Sequence, residues 1–509
     1  MTRARTPDLY QQYLDISQKA ADFNNAAALL SWDQEVYMPK KGFEFRGRQL
    51  ATLSAAAHEL LTSESFGALL EELYSRTDLG EAEAANVRLS YEDYRKSRKL
   101  STAFIEKLTL QTSESYNAWL EARNLNDYKR YAPALERMIA LKQEQASLYG
   151  YSDHPYDALL DDYERGATTK LLDGVFAQVK TELPPLLDRI RSSRQVSDDL
   201  FRQHFPRDLQ FSFSMQVLEA MGYDLEAGRQ DYSEHPFSIS FAPTDVRVTT
   251  RVSEQDLSSL LWSSIHEGGH ALYEQGLPVG QYGLPLGTYV SLSIHESQSR
   301  LWENCVGRSL SFWKHFYPRL QALFPGQLGG YEVEEFYKAA NKVEASPIRT
   351  EADELTYHFH VLIRYEIEKA VIGGEVRASE LKDVWNEYYG RYLGIVPEHD
   401  KEGILQDVHW SHGSFGYFPT YSLGSFYAAQ FFGQASKDVS GLGELIAQGQ
   451  YAPLLGWLRE NVHCHGRKYS SEDLCRRITG NGLEFSSFMR YAKEKYSGIY
   501  NVVAAENVV

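Results

Sequence analysis

The sequence predicts a mainly α-helical protein, a large helical body with one small β ribbon next to a helix that carries chemistry. Three observations predict it. From Pro7 to about Arg229 the pattern is helical nearly throughout, in a background rich in Ala, Leu, Glu, Lys and Gln. Period-two alternation marks Phe237-Ser238-Ile239-Ser240-Phe241 and Val246-Arg247-Val248-Thr249, separated by Ala242-Pro243-Thr244-Asp245. Directly afterwards Leu257, Leu261, Ile265 and Leu272 return to steps of three to four and their successors, the spacing of a helix with a buried stripe.

Composition narrows the function classes. A chain of 509 residues is compatible with several domains or with one large helical body. A net charge of −17 argues against nucleic acid as a partner, because a phosphate backbone needs a basic face. Cys305, Cys464 and Cys475 cannot all pair and have no zinc-finger spacing, which favours a reducing compartment. The opening Met1-Thr2-Arg3-Ala4-Arg5 is followed by no apolar core of a leader, and no segment reaches the roughly eighteen uninterrupted apolar residues of a membrane span. A cytoplasmic protein with no membrane partner is expected.

In the first half the elements are helices with polar breaks, among them Met38-Pro39-Lys40-Lys41-Gly42 and Ser152-Asp153-His154-Pro155. His58 and His154 stand alone there and read as surface or hydrogen-bonded residues. The ribbon after Gly228 offers an edge that can hold an extended peptide by main-chain hydrogen bonds. The helix after it contains Ser264-Ile265-His266-Glu267-Gly268-Gly269-His270. Positions four apart lie one turn above each other, so His266 and His270 aim two imidazole nitrogens at one point, half of a tetrahedral zinc site. Glu267 projects about 100° away, beside a water on such a metal, where it can act as a general base. Gly268 and Gly269 each cost the helix ~1 kcal/mol relative to alanine, a cost explained if something passes close to that backbone.

A third protein ligand must come from elsewhere, because Tyr273 and Gly276 occupy the positions at which one protease class carries its Gly and third His. After the Gly- and Pro-rich loop from Gly276 to Gly287, a second helix offers Glu296, with His295 beside it. Arg300 and Glu303 share its face and read as a surface ion pair outside the site. From Ile348 another helix is expected to run to about Val371, opened by Ser346-Pro347 beside Arg349. Gly403 to Tyr421 is dense in Gly, His and aromatic residues, of which Phe415 and Phe418 are expected in the core. His463-Cys464-His465 has no fourth ligand at useful spacing and reads as structural.

H-E-G-G-H followed by H-E-S-Q-S-R-L-W-E-N resembles the carboxypeptidase Taq family of metallocarboxypeptidases. Four further segments are similar to that family's motifs and fall in its order: His235-Pro236-Phe237, Asp245-Val246-Arg247-Val248-Thr249, Ile348-Arg349-Thr350-Glu351-Ala352-Asp353 and Gly403-Ile404-Leu405-Gln406-Asp407-Val408-His409-Trp410. The similarity reaches both ends, through Trp32-Asp33-Gln34-Glu35 and Trp457-Leu458-Arg459-Glu460-Asn461. It implies one domain over residues 1–509, with 1–229 as the wall and lid of a long active-site cleft and 230–509 as the catalytic half. It implies one zinc ion per chain on His266, His270 and Glu296, for which cobalt can substitute. It implies release of single C-terminal amino acids from peptides with a free C-terminus, broad specificity and a homodimer. His235, by position a capping or turn residue, is then expected to contact the substrate backbone. Such an enzyme must recognise a terminal carboxylate, for which Arg349 is the leading candidate and Arg247 the reserve. By similarity to helical zinc peptidases more widely, Tyr421, supported by His409, is expected to stabilise the oxyanion. The alternatives are an oligopeptidase or dipeptidase using the same chemistry, and a metal-loaded peptide-binding protein without catalysis.

Overall fold

A computed structural model describes residues 5–502; the first four residues of the N-terminal stretch read above lie outside it. The architecture is mainly α, with a single three-stranded sheet among the described residues. No helix among these residues is long and apolar enough to cross a membrane. Cys305, Cys464 and Cys475 are all free.

The chain opens with α1 (Thr6–Val36), α2 (Phe43–Thr62), α3 (Glu64–Tyr74) and α4 (Glu81–Ser97). Pro7 stands in the first turn of α1, where its missing N–H costs nothing. Leu9 and Tyr13 of α1 meet Phe66, Leu70 and Leu73 of α3 and Val87 of α4 in a small core of their own, completed by Leu284 from a distant loop. The helices from residue 102 onward join the ribbon and the later helices in one large core that runs from Trp119 to Tyr500. The first four helices thus form a separately packed wall.

The expected ribbon is present as β2 (Ser238–Ala242) and β3 (Asp245–Thr250), antiparallel with Ser238 opposite Val248, and it gains a third strand, β1 (Gly228–Tyr232), parallel to β3. The order β1-β3-β2 leaves β2 as a free edge. β1 has no apolar alternation to announce it. Its Gln230 is buried by a bond from Nε2 to Ser214 Oγ at 2.8 Å, and its Asp231 by Arg229 Nε at 2.6 Å. Alternate β3 residues Val246 and Val248 are fully buried, and Thr250 Oγ1 meets Ser263 Oγ at 2.9 Å, which ties the sheet to the histidine-bearing helix.

The helix expected from Ile348 begins later. Arg349–Glu351 is a single 3-10 turn and the α-helix spans Tyr357–Ile372. Asp353 is the cause: its Oδ1 accepts from the backbone N–H groups of Leu355 and Thr356 at 2.8 and 3.0 Å, so it caps a new start instead of continuing a helix.

Candidate metal centre and active site

The histidine-bearing helix spans Leu257–Gln275, and Asp256 caps it by accepting from Ser258 N at 2.9 Å. Leu257, Leu261, Ile265 and Leu272 are buried as the spacing requires. The helix bearing Glu296 spans Leu292–Arg300 and is capped by Ser291 Oγ, which accepts from Ile294 N at 3.1 Å. The two helices cross at Gly269: a Cβ there would stand 2.7 Å from Ser299 Cα and 2.8 Å from the Gln298 carbonyl oxygen. Gly268 faces the other way, against Leu218 Cδ2 at 2.4 Å. The close approach inferred from the two glycines is therefore real on both sides. A third helix, Pro419–Asp438, meets Glu296 through Gly424, where a Cβ would lie 2.6 Å from Glu296 Cβ and Cγ.

These contacts bring three ligand atoms together. His266 Nε2 and His270 Nε2 lie 3.6 and 3.4 Å from Glu296 Oε2, and one atom from each residue falls within 4.8 Å of the others. Two imidazole nitrogens and one carboxylate oxygen, converging on a cleft, are a donor set suited to a divalent metal with an open position. Behind them each imidazole is held by its other nitrogen. His266 Nδ1 bonds Glu303 Oε2 at 2.9 Å. His270 Nδ1 bonds His295 Nδ1 at 2.5 Å, and His295 Nε2 bonds Glu274 Oε1 at 2.9 Å. If the Nε2 atoms face a metal, Nδ1 of both ligands must carry the proton, so His295 accepts at Nδ1 and donates from Nε2 to Glu274.

Arg300 and Glu303, read from the sequence as a surface pair, are part of this inner structure. Glu303 is buried in a π-helical turn, Leu301–Gly307, and Arg300 donates from Nε to Glu296 Oε1 at 2.7 Å and from Nη1 to Glu303 Oε2 at 3.2 Å. Burial opposes ionisation of Glu296 and Glu303, yet the charges around them, Arg300 foremost, hold both well below the usual carboxylate range. Glu267 is buried without such a cation, and burial raises its carboxyl above the ordinary value, which strengthens it as a base. Glu274 could have been found from sequence: it is four residues beyond His270, on the face already shared by the two ligands.

The cleft in front of these groups has a volume of about 1040 Å³ and runs between α1, α2 and α4 on one side and the metal-site helices on the other. The edge strand β2 lines it, from Ser238 to Ala242, together with Glu267, Tyr289, Tyr417 and Tyr421. Tyr421 Oη lies 3.2 Å from His409 Nε2. Burial keeps the Tyr421 hydroxyl protonated and pushes His409 down to about 4, so a neutral ring can donate from Nε2 and leave the tyrosine proton for the cleft.

Arg349 is buried one ring behind the cleft wall. Its guanidinium lies 5.0 Å from the Tyr421 ring centroid, donates from Nε and Nη2 to Asp407 Oδ1 at 3.1 and 2.9 Å, and donates from Nη1 to Tyr357 Oη at 3.1 Å. Arg364 shares the same carboxylate at 2.6 Å. Arg247, by contrast, is tied along β3 to Asp245 at 2.8 Å and stacks on Trp32 at 4.4 Å, and does not line the cleft. His235 is exposed in the bend between β1 and β2; its neighbours Pro236 and Phe237 line the cleft and it does not. His463 is buried against Tyr273 at 5.0 Å and bonds Gln298 Oε1 at 3.1 Å, and so packs behind the metal-site helices. Phe415 and Phe418 are core residues.

Known proteins are similar to this chain over nearly its whole length. The family model of the carboxypeptidase Taq (M32) metallopeptidases matches residues 12–496. Thermostable carboxypeptidase 1 of Thermus thermophilus is 41% identical over 510 residues, covering 97% of this chain and 100% of that protein. Carboxypeptidase 1 of Bacillus subtilis is 38% identical, over 96% of this chain and 98% of its own. The crystal structure of an M32 carboxypeptidase from Deinococcus radiodurans superposes with a TM-score of 0.95 at 39% identity, covering 97% of this chain and 100% of that one.

Proposed function

The chain belongs to the carboxypeptidase Taq (M32) metallopeptidase family, a family of peptide hydrolases, and from that premise we propose that it is a zinc-dependent exopeptidase releasing single C-terminal amino acids with broad specificity. The observation that carries this reading is the convergence of His266, His270 and Glu296 within 4.8 Å, with Glu267 beside them and a free strand edge opposite. His266, His270 and Glu296 would hold one zinc ion, or cobalt in its place, which would supply Lewis-acid polarisation of the scissile carbonyl and a lowered pKa of water. Glu267 takes the proton of the attacking water and returns it to the leaving amine. β2 aligns the extended peptide by main-chain hydrogen bonds. Tyr421, with His409 behind it, donates to the oxygen on which negative charge develops.

Arg349 is proposed to take the terminal carboxylate. Asp407 lies between two guanidinium groups, so the cluster of Arg349, Arg364 and Asp407 carries one excess positive charge beside the cleft wall. A buried unbalanced cation is costly alone and favourable once an anion joins it. The Tyr421 and Tyr357 rings, 5.0 and 6.0 Å from the guanidinium, must shift to admit the carboxylate. Arg247 stays with the sheet and His235 stays a turn residue in this account. The enzyme is further proposed to be cytoplasmic and homodimeric.

Two substitutions separate these roles. Arg349→Met is expected to raise KM for a blocked dipeptide by roughly 100-fold, a loss in the range of a charge-assisted pair, with little change in the inhibition constant of its uncleaved amidated analogue. Equal weakening of both would remove Arg349 from carboxylate recognition. Tyr421→Phe is expected to lower kcat by roughly 10²-fold with KM nearly unchanged, as for the loss of one oxyanion donor. An unchanged kcat would assign that donation elsewhere.

A further inference from the structure

We infer that Arg300 is a positioning residue that confines Glu296 to a single metal-facing oxygen and so keeps a coordination position free for water and substrate. The inference rests on the metal centre proposed above. The two oxygens of Glu296 are already divided between partners. Oε2 faces His266 Nε2 and His270 Nε2 at 3.6 and 3.4 Å, while Oε1 accepts from Arg300 Nε at 2.7 Å. A carboxylate with both oxygens free can close on a divalent ion with both, and a second oxygen would fill the position that a hydrolytic site must leave open.

Arg300 is built to hold that division. It stands four residues after Glu296 on the same helix, so the two side chains lie one turn apart on one face. Its Nη1 reaches Glu303 Oε2 at 3.2 Å, the same oxygen that bonds His266 Nδ1 at 2.9 Å. Its guanidinium also lies 4.7 Å from the Tyr357 ring centroid. One planar fork therefore spans the ligand carboxylate and the carboxylate behind a ligand imidazole, a reach that a lysine ammonium cannot reproduce. The root of Glu296 is fixed as well, because the Gly424 backbone leaves no room for a Cβ against it.

Electrostatics gives the inference a sign. A guanidinium beside a divalent cation repels it, so a residue that served only metal affinity would not be a cation here. Removing Arg300 is then expected to leave the metal bound as tightly or more tightly while turnover slows. A residue that merely braced the buried carboxylates would, when removed, loosen the metal.

The test compares wild type, Arg300→Met and Arg300→Lys as zinc and as cobalt enzymes. For Arg300→Met the expected results are zinc affinity in a chelator competition equal to or above wild type, weakened visible absorption of the cobalt enzyme as an oxygen ligand is gained, and kcat roughly 10- to 100-fold lower at similar KM. Arg300→Lys, which can still occupy Oε1, should recover part of kcat and of the wild-type spectrum. Should Arg300→Met not fold, Arg300→Leu carries the same expectations. Weakened zinc affinity with an unchanged cobalt spectrum would overturn the inference, as would an unchanged kcat. The cobalt spectrum is read without peptide, so a wild type that releases no C-terminal residue would count against the proposed reaction and not against the role of Arg300.

Discussion

Replacing Glu267 with glutamine is expected to lower kcat by roughly 10³-fold or more while the bound metal stays at the wild-type level. Glu267 is not one of the three convergent ligand residues, so the substitution leaves their donor atoms intact. Its burial explains the size of the effect. A carboxyl whose affinity for protons is raised by burial is a stronger base than an exposed one, and a neutral amide of the same shape cannot accept a proton. Ser238 of β2 and Glu267 line the same cleft, so the base faces the space beside the strand proposed to carry the peptide. Metal analysis and kinetics on the same preparation check the expectation. Loss of metal together with activity would make Glu267 a determinant of the ligand set instead of a base.

A loss of both metal and stability is expected at Gly269, which does not line the cleft. Alanine improves helix propensity by ~1 kcal/mol. Its Cβ, however, would lie 2.7 Å from Ser299 Cα and 2.8 Å from the Gln298 carbonyl oxygen, backbone atoms that cannot rotate away. Overpacking of this kind costs ~1–3 kcal/mol, and relief requires the Glu296 helix to move off the histidine-bearing helix. Glu296 lies three residues from Ser299, so it moves as well. Gly269→Ala is therefore expected to weaken metal retention by at least about tenfold and lower the melting temperature. Gly268→Ala supplies the control, since its Cβ would meet only the end of the Leu218 side chain, 2.4 Å away. The expected order of metal loss under chelator is Gly269→Ala well ahead of Gly268→Ala. Equal behaviour of the two variants would show that helix spacing does not set the ligand geometry.

Much of this was legible in the chain, for identifiable reasons. The helices and the β2–β3 ribbon follow from apolar periodicity, and the adjacent glycines of the H-E-G-G-H segment announce a close approach that Ser299 and Leu218 supply. The rest depended on tertiary neighbours. β1 is polar throughout and becomes a strand because β3 offers it a partner. Arg349 lies outside a helix because Asp353 starts a new one, a choice between two helix-compatible patterns that spacing alone does not make. Arg300 and Glu303 look like a solvated pair at three-residue spacing. Glu303 is buried in the π-helical turn, whose Asn304 carbonyl is taken by Tyr491 Oη at 2.9 Å and Lys495 Nζ at 3.2 Å from the last helix, Phe485–Tyr500. No local pattern reports a contact between residues so far apart in the chain.

The proposed ligand set, the proposed base and the excess charge at Arg349 support one proposed reaction: removal of a single residue from a free C-terminus. The measurement that tests this most directly is mass spectrometry of a short peptide and its C-terminally amidated twin after incubation with the zinc-loaded enzyme. The account predicts a ladder of products shortened one residue at a time from the free C-terminus, and an amidated peptide left intact. Internal fragments, or equal cleavage of both peptides, would contradict it and make the enzyme an oligopeptidase with the same metal centre.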